Sequence, residues 1–151
     1  MSDEIFMTEA LAEARKAASA GEVPIGAVAV KDGIIVARAH NQVERCHSVS
    51  AHAEFMLLHE LEKLSGDWRM SDYTFFITKE PCPMCAGMLI NARVKRVVFG
   101  ASDPASGGMG GAFDLNRVPG LLWHCEVSSG VMADECLALI RDFFRKRRLE
   151  K

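Results

Sequence analysis

Tyr73-Thr74-Phe75-Phe76-Ile77-Thr78-Lys79-Glu80-Pro81-Cys82-Pro83-Met84-Cys85 joins two elements with almost nothing between them. Its first six residues are all aromatic or β-branched, the pattern of a short buried strand. Pro83 suits the first position of a helix, where a missing N–H costs nothing, and the spacing predicts a helix over about 83–92. Val97-Val98-Phe99-Gly100 then reads as the next strand. Strands joined through a helix run parallel, and ligand sites in such sheets gather at the strands' carboxyl ends. Cys82 and Cys85 fall at that end.

The two cysteines are spaced i, i+3, so both thiols lie on one side of a first helical turn. His52, in His52-Ala53-Glu54, supplies an imidazole as third ligand. Three protein ligands with an open fourth position describe a catalytic zinc; a structural site recruits a fourth side chain. Cys46, His47 and His59 have no partner at metal-binding spacing, and His40, His124, Cys125 and Cys136 are given no chemistry. Glu54, two residues past His52 and about 200° around a helix, is badly placed as a second ligand but well placed as a proton carrier for a metal-bound water. The pattern H-x-E…P-C-x-x-C with a non-ligating Glu is the signature of zinc nucleobase deaminases. Helix starts at both ligand segments would offset the negative charge of two thiolates and an attacking oxygen.

Upstream, Met7, Ala10, Leu11, Ala14 and Ala18 recur at helical spacing over about 3–20, with Gly21 as the stop. Ile25 to Val30 and Ile34 to Ala39 are antiparallel strands about an Asp32-Gly33 turn. Residues 41–49 look irregular, and Ser50 is the expected cap of a helix running to about Leu64 with His52 in its first turn. Asn41 suits a base or sugar contact and a loop cap equally, since its amide both donates and accepts. Downstream, Ser102 to Ala112, with Gly107, Gly108, Gly110 and Gly111, is expected to be a mobile loop beside the pocket. Glu126-Val127-Ser128 is a weak fifth strand, and Val131 to about Arg147 a closing helix with a core-facing stripe of Leu137, Ile140 and Phe144. The expected fold is α/β: a three-layer α/β/α domain on a mixed five-stranded sheet, one domain covering residues 1–151.

A chain of 151 residues with 49% hydrophobic and 7% aromatic content has the composition of one globular core. The acidic start Met1-Ser2-Asp3-Glu4 and the lack of any apolar run of about 18 residues predict neither signal peptide nor membrane span, and a cytoplasmic protein. Five cysteines, two of them in C-x-x-C, fit a reducing compartment and a metal. The net charge of −2 divides unevenly, with +4 on residues 141–151 (Arg141, Arg145, Lys146, Arg147, Arg148 and Lys151 against Asp142 and Glu150) and −6 on the rest. Charge alone serves a phosphate-contacting patch and a solvated helix end equally well.

With those residues in hand, the chain resembles the bacterial tRNA-specific adenosine deaminases of the cytidine and deoxycytidylate deaminase superfamily. Beyond the metal motif the resemblance includes Glu22 to Val28, His40-Asn41, Gly66-Asp67-Trp68-Arg69, Cys82 to Met88, Arg96 to Ala101, Ala133 to Cys136 and Asp142 to Arg148. It implies a cytidine-deaminase-like fold, a homodimer, one zinc per subunit on His52, Cys82 and Cys85, and Glu54 as proton shuttle. It further implies a tRNA anticodon stem-loop as substrate, its wobble adenosine converted to inosine with release of ammonia. Asn41, Ala53 and Pro81 map to the base site, Asp103 to the ribose, and Phe144, Arg145 and Arg148 to the RNA-holding helix. The chain departs from the family pattern at Ser48-Val49-Ser50, Lys79, Ser102, Ala105 and Leu122-Trp123, positions that bear on RNA affinity.

The alternatives are a deaminase of a free base or nucleotide (guanine, cytosine or deoxycytidylate) and a zinc-stabilised binding module without turnover. Glu54 argues against the module, because a structural site has no use for a buried unliganded carboxylate.

Overall fold

The structure, a computed structural model, describes residues 2–150; Met1 and Lys151, the latter counted with the basic tail, lie outside them. The strand–helix–strand unit is β3 (Thr74–Lys79), α4 (Pro83–Asn91) and β4 (Arg96–Ala101), with Pro83 in the first turn of α4. β3 and β4 run parallel, pairing Phe75 with Val97, Phe76 with Val98 and Ile77 with Phe99. β1 (Gly26–Lys31) lies antiparallel on the other side of β3, and β2 (Ile34–His40) lies antiparallel to β1. Their connection places Asp32 at φ 52° and Gly33 at φ 76°, the double positive φ of a tight hairpin turn. β5 (Glu126–Ser128) adds a short parallel edge, giving the mixed order β2-β1-β3-β4-β5.

Strand alternation divides the interior into two cores. Ala27, Ala29, Phe75, Ile77, Val97 and Phe99 face α3 (Ala53–Ser65) and α4, packing with Leu57, Leu61, Ala86 and Leu89. Val28, Val30, Phe76 and Val98 face α1 (Asp3–Ser19) and α5 (Ala133–Leu149), packing with Met7, Ala10, Leu11 and Cys136. The result is the expected three-layer α/β/α fold. At Gly26, α1 comes so close to β1 that a Cβ would lie 2.1 Å from the Ala10 carbonyl oxygen, so only glycine fits. No helix among the described residues is long and apolar enough to cross a membrane.

Four details differ from the sequence expectation. Residues 41–49 are not wholly irregular but hold a one-turn helix, α2 (Val43–Cys46). Ser50 does not cap the next helix; its Oγ lies 3.0 Å from Ser48 Oγ, α3 starts at Ala53, and His52 occupies the N-cap position without a capping hydrogen bond from its side chain. The glycine-rich loop is not a loose flap but is pinned at Asp103, Met109 and Gly111 by the buried carboxylate of Glu80. On α5 only Cys136 is buried, Leu137 is partly covered, and Phe144 stays 43% exposed, so the apolar stripe is largely a surface.

Candidate active site

His52 and Cys82 end the loops before α3 and α4 in extended backbone, and each carbonyl accepts the first helical hydrogen bond, from Met56 and Ala86 respectively. Their side chains therefore leave the chain beside two helix N-termini. Cys85, one turn into α4, is fully buried. His52 Nδ1 lies 3.8 Å from Cys82 Sγ and 3.4 Å from Cys85 Sγ, and the three ligand atoms all fall within 4.8 Å of one another. Tetrahedral zinc with bonds of about 2.0 Å to nitrogen and 2.3 Å to sulfur requires edges of about 3.6 Å and 3.8 Å, so this donor set fits the ion. Among the described residues no other His, Cys, Asp or Glu joins the cluster, so side chains supply three of the four ligands that a tetrahedral zinc takes.

The three ligand groups are electrostatically coupled. The Cys82 thiol is pulled down to about 4, chiefly because the Cys85 thiol donates to it, with His52 helping and burial opposing. Cys85 is driven strongly upward by that same donation to Cys82, by burial and by the nearby Glu54 carboxylate. His52 is raised by its hydrogen bond with Cys82, against burial. Glu54, in the first turn of α3 and only 4% exposed, has its carboxyl raised above the ordinary carboxylate value by burial, the largest influence upon it. A carboxyl so placed takes up a proton more readily than one in water.

Beside His52 opens a cavity of about 570 Å³ whose walls include Val23, Asn41, His52, Ala53, Lys79, Phe144 and Arg148; Cys82, Cys85 and Glu54 lie behind that wall. Asn41 Nδ2 donates to the Val23 carbonyl (3.2 Å) and its Oδ1 accepts from Val43 N–H (3.3 Å), so it is a loop cap that also faces the cavity. Pro81 and Asp103 do not line the cavity. Pro81 is buried, its carbonyl accepting from Gly108 N–H at 2.7 Å. Asp103 accepts from Ala105 N–H, Ser106 N–H and Ser106 Oγ and pairs with Lys79 at 3.1 Å. Burial would raise its carboxyl, but these donors hold it well below the usual range. Arg145 instead lines a second groove, of about 660 Å³, along α5 with Arg141, Phe144 and Arg148. Phe144 and Arg148 belong to both hollows and form the ridge between them. Arg147 donates to the Gly21 carbonyl and stacks over Phe143 at 5.0 Å, tying α5 across one side of the cavity.

Two further carboxylates shape the site. Buried Glu22 accepts from Glu44 N–H (2.9 Å) and Arg45 N–H (2.8 Å), capping α2 and fixing the cavity wall beside Asn41. Glu80 accepts from the N–H groups of Asp103 (2.9 Å), Met109 (3.0 Å) and Gly111 (2.8 Å), locking the loop behind Cys82. Neither has a local sequence signal except that Glu80 directly precedes Pro81-Cys82.

A mixed sheet of this order, with a His/Cys/Cys cluster at paired helix starts and a buried glutamate beside it, defines the cytidine-deaminase-like class of hydrolytic deaminases. The sequence matches the MafB19-like deaminase family over residues 1–148. It is 46% identical to a tRNA-specific adenosine deaminase of Bacillus subtilis over 149 residues, covering 99% of this chain and 92% of that protein. A solved tRNA:A34 deaminase superimposes with a TM-score of 0.87 at 36% identity, over 89% of this chain and 98% of the other. A guanine deaminase of Nitrosomonas europaea shares the fold at a TM-score of 0.79 and 21% identity, over 94% of this chain and 84% of that one. The chain belongs to the tRNA-specific adenosine deaminase family.

Proposed function

We propose that this chain, acting over residues 1–151 as one domain, is a zinc-dependent hydrolytic deaminase that converts adenosine to inosine at the wobble position of a tRNA anticodon loop. The observation that carries the reading is the His52–Cys82–Cys85 triangle, at zinc-ligand separations, with buried Glu54 two residues past His52, which itself lines an open cavity. One zinc ion per subunit, held by those three side chains, would supply Lewis-acid activation of water.

The remaining steps belong to the protein. Glu54, its proton affinity raised by burial, accepts a proton as the water oxygen forms its bond to C6 of adenine. It passes that proton to the ring nitrogen, then takes the proton of the new C6 hydroxyl and delivers it to the exocyclic amine as the C6–N6 bond breaks, C6=O forms and ammonia leaves. Adenosine and water thus become inosine and ammonia. Asn41 spends one N–H and one lone pair on backbone, which leaves a second donor and acceptor for the base or its ribose. Ala53 packs the pocket floor, Pro81 backs Cys82, and Asp103 stands behind Lys79 on the side where a ribose would pass. Phe144, Arg145 and Arg148 on the α5 ridge offer stacking and phosphate contacts to an RNA loop. Exposed Phe113, Val118 and Leu122, all between β4 and β5, offer apolar surface to a second copy in a homodimer. The reading places the protein in the cytoplasm with its tRNA substrate.

The test is turnover. Purified protein is incubated with an anticodon stem-loop carrying adenosine at the wobble position and, separately, with guanine, cytosine, adenosine and deoxycytidylate. Inosine in the stem-loop with matching ammonia is the expected result; ammonia from a free base alone would overturn the RNA reading in favour of the alternative.

A further inference from the structure

Lys79 is the only strand residue among the described residues that lines the cavity. It ends β3 three positions before Cys82, so its side chain rises at the edge of the sheet where the metal cluster lies. Its ammonium is 3.1 Å from Asp103 Oδ2. Asp103 is itself immobilised, Oδ1 accepting from Ala105 and Ser106 N–H and Oδ2 from Ser106 Oγ at 2.7 Å. The carboxylate therefore works as a bracket that fixes where the ammonium sits. An ammonium has three donors, and Asp103 is its only protein partner among the described residues, so two remain for whatever enters the cavity.

The surroundings leave Lys79 a distinct task. From Ser102 to Phe113 the loop after β4 carries no Lys or Arg, so no other cation reaches the cavity from that side. Arg147, across the cavity, is occupied by the Gly21 carbonyl and the Phe143 ring. Lys79 and His52 line the same cavity, so the ammonium faces the space into which the metal cluster opens. A half-buried cation with free donors, held by a fixed carboxylate at the rim of a nucleoside-sized cavity, matches an anionic oxygen of the substrate.

We infer that Lys79, braced by Asp103, is a substrate-positioning residue that grips a phosphate next to the target nucleoside. The inference rests on the proposed function for its substrate class. The phosphate is either a backbone phosphodiester of an RNA loop or the 5′-phosphate of a free nucleotide.

Binding is measured by fluorescence anisotropy in a Glu54→Gln background, so that nothing turns over. Lys79→Leu should weaken the anticodon stem-loop about tenfold, the size of one charge-assisted contact, and shallow the log–log salt dependence by about 0.7 to 0.9. Lys79→Arg should recover most of the loss. The charge-matched pair Lys79→Leu with Asp103→Asn, compared with Asp103→Asn alone, separates contact from field: binding weaker than that of the single Asp103→Asn variant supports the inference, whereas wild-type affinity of the pair would overturn it, because Lys79 would then only neutralise Asp103. Competition by 5′-AMP and adenosine distinguishes the sources. Loss of stem-loop affinity assigns the contact to the RNA backbone, and loss confined to the advantage of 5′-AMP over adenosine assigns it to a nucleotide phosphate. Unchanged binding of both overturns the inference. Should Lys79→Leu fold poorly, Lys79→Gln gives the same comparison. Failure of the deaminase reading appears elsewhere, as wild-type protein that yields no inosine from the stem-loop.

Discussion

His52 and Cys82 hold the same structural position in two different helices: each is the extended residue immediately before the first helical one, and neither side chain caps its own helix. Both side chains are thus released from the local hydrogen bonding that a Ser or Asp would make there, and they meet over two positive helix ends. Cys85 completes the triangle from inside the first turn of α4. The arrangement separates holding a metal from moving a proton, since Glu54 sits in the first turn of α3 but outside the ligand set.

That separation predicts opposite behaviour of neighbouring substitutions. Cys85→Ser or His52→Ala should lose zinc on gel filtration and, with it, all deamination. Glu54→Gln should keep about one zinc per chain while turnover falls by roughly three orders of magnitude, the usual scale for a general acid–base group. Metal analysis beside an ammonia assay checks both. A Glu54→Gln protein that retained activity would remove the carboxylate from the mechanism.

Glu80 should matter to stability as much as the metal residues matter to turnover. Its buried carboxylate is the shared acceptor for three backbone N–H groups, and a Cβ at Gly107 or Gly111 would clash with its carboxylate oxygens. Glu80→Ala strands those donors and is expected to cost about 3–5 kcal/mol in urea unfolding. Gly111→Ala should be destabilising too, because its Cβ also meets the Asp103 carbonyl oxygen at 2.3 Å. An unaltered unfolding midpoint for Glu80→Ala would show that the loop is held by something else.

Asp103 predicts a pH effect of definite sign. Its carboxyl is held below the ordinary carboxylate value in the folded chain, so its stabilising contribution is present above the unfolded pKa of about 4 and is lost as pH falls below it. Asp103→Asn should therefore lower stability by a constant amount, about 1–2 kcal/mol, from pH 5 to 8. The gap to wild type should close below about pH 4. Urea titrations in chelator, where the metal ligands contribute alike to both proteins, measure it; a gap that widened in acid would contradict the ion-pair geometry.

Much of this site was legible in the sequence because its signals are local. The C-x-x-C spacing, the proline at 83 and the β-branched run before it locate a strand, a helix start and two ligands within thirteen residues. The unbroken apolar runs of β3 and β4, buried on both faces, placed these strands in the middle of the fold. What stayed hidden depends on partners distant along the chain. Glu22 and Glu80 bind backbone N–H groups 22 to 31 residues away, and such donors have no residue type by which to recognise them. The one-turn α2 is too short to form on propensity and needs the Glu22 carboxylate at its start. Ser50 is the better cap by residue type, but its hydroxyl is taken by Ser48, and the helix starts later. On α5, periodicity revealed an apolar stripe but not whether anything covers it.

The basic end of α5 offers a sharper test than its charge alone suggested, because the structure divides three of its four consecutive cations into two kinds. Arg147 is engaged with the Gly21 carbonyl and the Phe143 ring, whereas Arg148 faces the ridge between the cavity and the groove and Arg145 lines that groove. Arg145 also pairs with Asp142 at 3.0 Å, but this exposed pair should yield to a phosphate at little cost. Arg145→Ala and Arg148→Ala are each expected to shallow the salt dependence of stem-loop binding by about 0.7 to 0.9. Arg147→Ala should leave that slope close to wild type and instead lower thermal stability, since it unties α5 from the end of α1. Equal slopes for all three variants and wild type would mean that the tail is only solvated, and a slope change for Arg147→Ala as large as the others would mean that its tie to Gly21 opens when RNA binds.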